Sequence, residues 1–224
     1  PVPLDSDSTL GFLKMLFELD PRAKGFEMGQ RGVLVSKMAD AIKIEGREHE
    51  VLPLFVRLFF DSCMDLYQDR RPLDSLPASI PDAFCDFIKR TNPTGPGVHN
   101  AISYSDLRRA AGILGLASLG TDYVPRDIAI HEAELQFDPE EWEGRDPIKR
   151  LEENGIVKKR VDGMRHSVSF THDPVAEFLA ADWKITLLKD EKNCRIFLEE
   201  IRMLPNSEGF VKAFEITMGV RFQK

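Results

Sequence analysis

Residues 156–183, IVKKRVDGMRHSVSFTHDPVAEFLAADW, decide how the chain is read. Two short alternating stretches meet at Asp162-Gly163, a dipeptide that supplies the positive φ angles of a tight two-residue turn. The pattern predicts a β-hairpin with Val161 opposite Met164 and Val157 opposite Val168, which makes one face apolar. The other face is basic, with Lys158, Arg160 and Arg165. Arg160 then faces Arg165 across the strands, a like-charge pair that is unfavourable unless an anion or a carboxylate is near. Beyond the hairpin, Phe170-Thr171-His172-Asp173-Pro174 turns strand into helix: Asp173 caps it, and Pro174 takes the first helical position, where a missing N–H costs nothing. Val175, Phe178, Leu179 and Trp183 follow at helical spacing, with Glu177, Asp182 and Lys184 off the stripe. His172 is therefore placed just before a helix N-terminus, where free N–H groups and the dipole favour an anion, and where an imidazole can face a phosphate. A lone histidine at a helix start is more often a capping or surface residue.

Three helices precede this hairpin. Ser105 caps a helix through Ala117, with Leu107, Ala110, Ala111, Leu114 and Ala117 inward. Pro125 opens a second near Asp127 to Leu135, and Asp146-Pro147 repeats the cap-then-proline signal for a third, Pro147 to Glu153, closed by Asn154-Gly155. Three helices followed by a hairpin is the order of a winged-helix domain, a helix-turn-helix variant. Upstream, Thr91 to Gly97 is dense in Pro and Gly and marks a linker. Before it come a helix from Thr9 through Leu19, with Leu10, Phe12, Leu13, Leu16 and Phe17 on one face, and a second from about Gln30 to Ile44. The apolar stretch Arg47 to Tyr67 follows, in which Pro53 either starts or kinks a helix, and then Asp82 to Arg90 with Phe84, Phe87 and Ile88 inward. Downstream, Ile185 to Lys224 reads as two amphipathic helices split at Leu204-Pro205-Asn206-Ser207, with Phe197, Leu198 and Ile201 inward in one and Phe210, Val211 and Phe214 in the other. The expected fold class is mainly α: a helical bundle, then a winged-helix domain of three helices plus a β-hairpin, then a C-terminal helical segment. The expected domains are 1–24, a leading loop and short helix; 25–97, helical; 98–184, winged helix; and 185–224, helical.

The length of 224 residues suits one or two domains with a sizeable core, and 42% hydrophobic with 30% charged residues is an ordinary globular balance. A net charge of −7 argues against a nucleic-acid partner, although a local basic patch remains on the hairpin. Cys63, Cys85 and Cys194 are odd in number and far apart, which favours a reducing, cytoplasmic setting over a disulfide framework or a zinc site. No apolar run is long enough to span a bilayer, so no membrane span is expected. The chain opens at Pro1 without a methionine, which suggests a piece of a longer protein.

The string Phe170 to Ala181, FTHDPVAEFLAA, resembles the end of the winged-helix domain in NACHT and NB-ARC proteins, the signal-transduction ATPases with numerous domains. His172-Asp173 matches the histidine-aspartate pair of their Met-His-Asp motif, with Thr171 in place of the methionine. The resemblance implies that His172 contacts the β-phosphate of bound ADP in a closed, inactive state. Leu52-Pro53-Leu54 resembles the family's Gly-Leu-Pro-Leu motif, in which the proline packs on the nucleotide; Val51 stands where the glycine belongs. Without the resemblance, Pro53 is a proline in the first turn of a core helix. The family also implies ADP or ATP as cofactor, held through a nucleotide-binding core absent from this chain. It further implies the rest of a parent ATPase as partner, homo-oligomerisation on activation, and a role in signalling of the innate-immunity type.

No phosphate-cradling Gly-x-x-x-x-Gly-Lys-Ser/Thr loop and no Gly-x-Ser-x-Gly elbow occurs in the sequence, and His49, His99, His131, His166 and His172 show no metal spacing. No catalytic residue and no metal ligand is therefore assigned, and the chain is expected to sense nucleotide, not to hydrolyse it. Two other classes stay open. One is a winged-helix DNA binder, with Pro147 to Glu153 as recognition helix and Lys158, Arg160 and Arg165 on the backbone; the other is a ligand-free interaction scaffold.

Overall fold

The computed structural model describes residues 4–42, 52–92 and 101–222. Among these it is mainly helical, with ten α-helices and one small antiparallel sheet. The chain divides into two compact units, Pro1–Phe87 and Ile88–Lys224, and the division falls inside a helix. Residues 93–97 of the expected linker lie outside the described residues, as do residues 43–51.

The first unit holds α1 (Ser6–Leu19), α2 (Met28–Ile42), α3 (Pro53–Gln68) and the start of α4 (Ile80–Thr91). α1 begins earlier than the sequence predicts: Asp5 caps it by accepting from the Ser8 amide at 2.8 Å, and Thr9, the predicted start, is buried inside the helix. A carboxylate satisfies an orphan amide at least as well as a hydroxyl, so the earlier residue takes the position. Leu13, Leu16 and Phe17 face inward as expected, whereas Leu10 is 48% exposed. α3 is the core helix. Phe55, Val56, Leu58, Phe59, Phe60, Cys63, Met64 and Leu66 are buried along it. Phe17 meets Phe60 edge-on at 5.1 Å and stacks on Phe26 at 5.4 Å, which ties α1 to α3 through aromatic contacts. α4 starts on a reciprocal cap, with Ser79 Oγ accepting from the Asp82 amide and donating to the Asp82 carboxylate. Phe84 and Ile88 are buried in it, and Phe87, expected inward, is half-buried.

The second unit runs α5 (Tyr104–Leu119), β1 (Ile128–Ala129), α6 (Ile130–Glu134), α7 (Pro147–Glu153), β2 (Val157–Asp162), β3 (Arg165–Phe170), α8 (Asp173–Leu188), α9 (Glu191–Arg202) and α10 (Glu208–Phe222). Ser103, not Ser105, caps α5, accepting from the Asp106 amide at 3.1 Å. The helix expected over Asp127 to Leu135 is replaced by a short strand and a five-residue helix: Ile128 and Ala129 pair with Val168 and Ser167 and fill the open edge of β3. The sheet order is thus β1-β3-β2, the three-stranded form of the winged-helix arrangement. α7 has the predicted limits, with Asp146 accepting from the Lys149 amide, and Gly155 follows it at φ +68°, the left-handed conformation that ends a helix.

α5 and α8 form the centre of this unit, and glycines let them approach. A Cβ on Gly112 would lie 2.5 Å from the Trp183 Cβ and 3.1 Å from the Leu179 carbonyl; one on Gly115 would lie 3.0 Å from the Ala176 carbonyl. Contacts to backbone leave nothing flexible to give way. α10 packs on the same helix, and its Phe210 and Phe214 cluster with Phe197 of α9 and with Tyr123, which stacks on Phe210 at 4.7 Å. The predicted division near residue 185 therefore falls within α8, which continues to Leu188. Between α6 and α7, the buried Trp142 lies under two guanidinium groups, Arg109 and Arg145, each 5.0 Å from its ring.

Candidate functional site at the hairpin-to-helix junction

The turn of the hairpin is displaced by one residue from the predicted position. Val157 pairs with Phe170, Arg160 with Ser167, Val161 with His166 and Asp162 with Arg165, so the central residues are Gly163 and Met164. Gly163 has φ +59° and Asp162 and Met164 have ordinary negative values, which meets the type II′ requirement of glycine at the first central position. Electrostatics agree with this register. The predicted Arg160–Arg165 opposition becomes Arg160 against Ser167 and Asp162 against Arg165, an opposite-charge pair. The apolar face reaches less far than predicted: Val157, Val168 and Phe170 are buried, while Val161 is exposed and Met164 is 100% exposed.

Lys159 lies 3.2 Å from Glu152 of α7, and Arg160 lies 3.1 Å from Asp127 before β1. Lys158 and Arg165 make no ion pair among the described residues, and every residue from Lys158 to His166 is exposed. Such exposed pairs contribute little to stability, so the outer hairpin is held by its own strand pairing.

Its root is fastened by Thr171. The Thr171 amide donates to the Ile156 carbonyl at 3.0 Å, and its hydroxyl reaches the Gly155 and Ile156 carbonyls at 3.0 and 3.1 Å. These bonds to the two residues just before β2 fix where the next residue stands.

That residue, His172, is the N-cap of α8, with extended backbone at φ −145°, ψ 131° and no side-chain capping bond. Its ring is exposed. Asp173, predicted as the cap, is instead the first helical residue, and Pro174 is buried behind it. The proline accounts for the shift: its fixed φ and missing N–H suit either of the first two helical positions. The anion site predicted from free amides is correspondingly thin. Pro174 has no N–H, and the Val175 amide already donates to the His172 carbonyl at 3.0 Å. The Asp173 carboxylate also complements the dipole at that end. The imidazole is thus the main group at this helix start able to meet a phosphate.

Glu177, one turn further, falls off the apolar stripe that the sequence predicts. Its carboxyl is nonetheless pushed up to about 7, by burial first and by the charge of Asp173 second. Pro53 belongs to the first unit: it sits in the first turn of α3, after Leu52 in extended conformation, and is half-buried. Neither unit contains both Pro53 and His172. Among the described residues, no group of three or more His, Cys, Asp and Glu side chains is placed to hold a metal ion, and no helix is long and apolar enough to cross a membrane.

No family model, curated protein or solved structure matches the chain significantly.

Proposed function

We propose that this chain is the regulatory helical and winged-helix region of a NACHT-type ATPase, a nucleotide-sensing switch in cytoplasmic signalling of the immune-defence type. In this proposal a nucleotide-binding core on the same parent protein holds ADP, His172 touches its β-phosphate, and Pro53 packs on the nucleotide. Exchange for ATP moves the winged helix away and permits homo-oligomerisation. The physical basis is differential contact: an imidazole that meets the diphosphate only in the closed arrangement shifts the equilibrium toward that arrangement.

The observation that supports this most is the state of His172. It is an exposed, uncapped imidazole held between the bond from Thr171 and the packed body of α8. A side chain spent on capping or buried in the core could not serve. The test is the nucleotide that co-purifies with the full-length parent. His172→Ala is expected to lower bound ADP and favour the active assembly, and unchanged ADP content argues against the role.

A duplex-DNA reader is less well supported. In α7, the helix that would enter the groove, Arg150 is only 4% exposed and bonds to Asn92 and Glu153, and Glu152 faces Lys159. That leaves Lys149 as the exposed cation of the helix beside two carboxylates, an unfavourable surface for phosphates.

A further inference from the structure

Glu177 lies in the second turn of α8 and has no part in the contacts that place His172. Its carboxyl rests on α10. A Cβ built on Gly209, in the first turn of α10, would stand 2.0 Å from Oε1 and 2.9 Å from Oε2, so the acid occupies the space that any side chain at 209 would need. Burial in this seam holds the proton on the carboxyl up to about pH 7, and Asp173 on the same helix adds repulsion.

Among the described residues no positive charge pairs with it. On α10, Glu208 and Lys212 flank Gly209 and neither pairs with Glu177. From α5, Arg108 is held by Asp182; on α8 itself, Lys184 lies over the Phe197 ring of α9. Arg202 of α9 is taken by Glu199 and Glu215, and Arg221 of α10 reaches Thr186 and Asp182. β3 carries its charges, Arg165 and His166, at the end away from α8. The dipole at the start of α10 favours an anion, yet none of its first amides donates to the carboxyl.

We propose that Glu177 is a proton-dependent latch between α8 and α10: neutral, it seats on Gly209 and lets α10 dock closely; ionised, it turns toward water and frees the first turn of α10. The folded chain keeps this proton to a higher pH than the ordinary carboxylate value of 4.5, so the unfolded chain releases it first. Stability from the seated form is complete below that value, falls as pH rises toward about 7, and is level above. The latch acts on α8, the helix that follows His172, but needs no nucleotide, so its failure and the failure of the nucleotide reading are separable.

The test follows the Gly209 amide resonance by NMR from about pH 5 to about pH 9, together with hydrogen exchange of the amides at 210–212. In the wild-type chain the resonance is expected to titrate near pH 7, and exchange above that midpoint to exceed that of Glu177→Gln in the same buffer by about tenfold. Glu177→Gln should show no such titration. Gly209→Ala, whose methyl displaces the carboxyl, should return Glu177 to the usual carboxylate range and remove it too. A wild-type Gly209 resonance that is flat above about pH 6, or equal α10 protection in wild type and Glu177→Gln at about pH 8, overturns the latch. Should Glu177→Gln fail to fold, the wild-type titration and Gly209→Ala decide alone.

Discussion

Behind His172, α8 lies so close to α5 that Gly112 and Gly115 have no room for a side chain; in front of it, the hairpin from Lys158 to His166 is exposed throughout, and Met164 at its tip touches no core. One region fixes position through backbone contact and the other presents charge to solvent. The difference teaches where the precision of the junction comes from. His172 is placed by the helix behind it and by the Thr171 bond, and the basic residues of the hairpin do not hold it.

Substitutions can break or sharpen that contrast. The largest effect is expected at Gly112→Ala, whose methyl would lie 2.5 Å from the Trp183 Cβ and 3.1 Å from the Leu179 carbonyl. Overpacking against backbone should lower stability by about 2 to 3 kcal/mol, read from the urea midpoint at unchanged slope. Thr171→Val removes the hydroxyl bonds to the Gly155 and Ile156 carbonyls and should lower stability by about 1 kcal/mol in the same measurement, while increasing amide exchange at the root of β2. Met164→Ser at the tip should change stability by less than about 0.5 kcal/mol, because nothing there is buried. A large loss from Met164→Ser, or a neutral Gly112→Ala, would reverse the assignment of which region is rigid.

The sequence carried the helices and the hairpin because those signals are local. The Asp146-Pro147 pair set α7 at its observed limits, and Pro53 opens α3 as one of the two alternatives expected. What escaped depended on partners distant in sequence. β1 is two residues long and exists because β3 has an edge to fill, so no period announces it. The hairpin register turned on two competing placements of one glycine, and the cross-strand charges decided for the one that sets Asp162 against Arg165. Gly112 and Gly115 carry no periodic signal of their own, because what requires them is the backbone of α8, more than sixty positions away. Glu177 falls off the apolar stripe, and its carboxyl rests against Gly209, thirty-two positions later, which has no side chain to reveal the contact. The candidate site was legible as a location, a histidine before a helix. Its support by Thr171 and its scarcity of free amides were not.

The nucleotide role proposed for His172 is tested most directly by the rate at which labelled ADP leaves the full-length parent that this proposal implies, compared for wild type, His172→Ala and Met164→Ser. The proposed hydrogen bond from His172 to the diphosphate predicts release about tenfold faster for His172→Ala and an unchanged rate for Met164→Ser. Equal rates for wild type and His172→Ala would contradict the account.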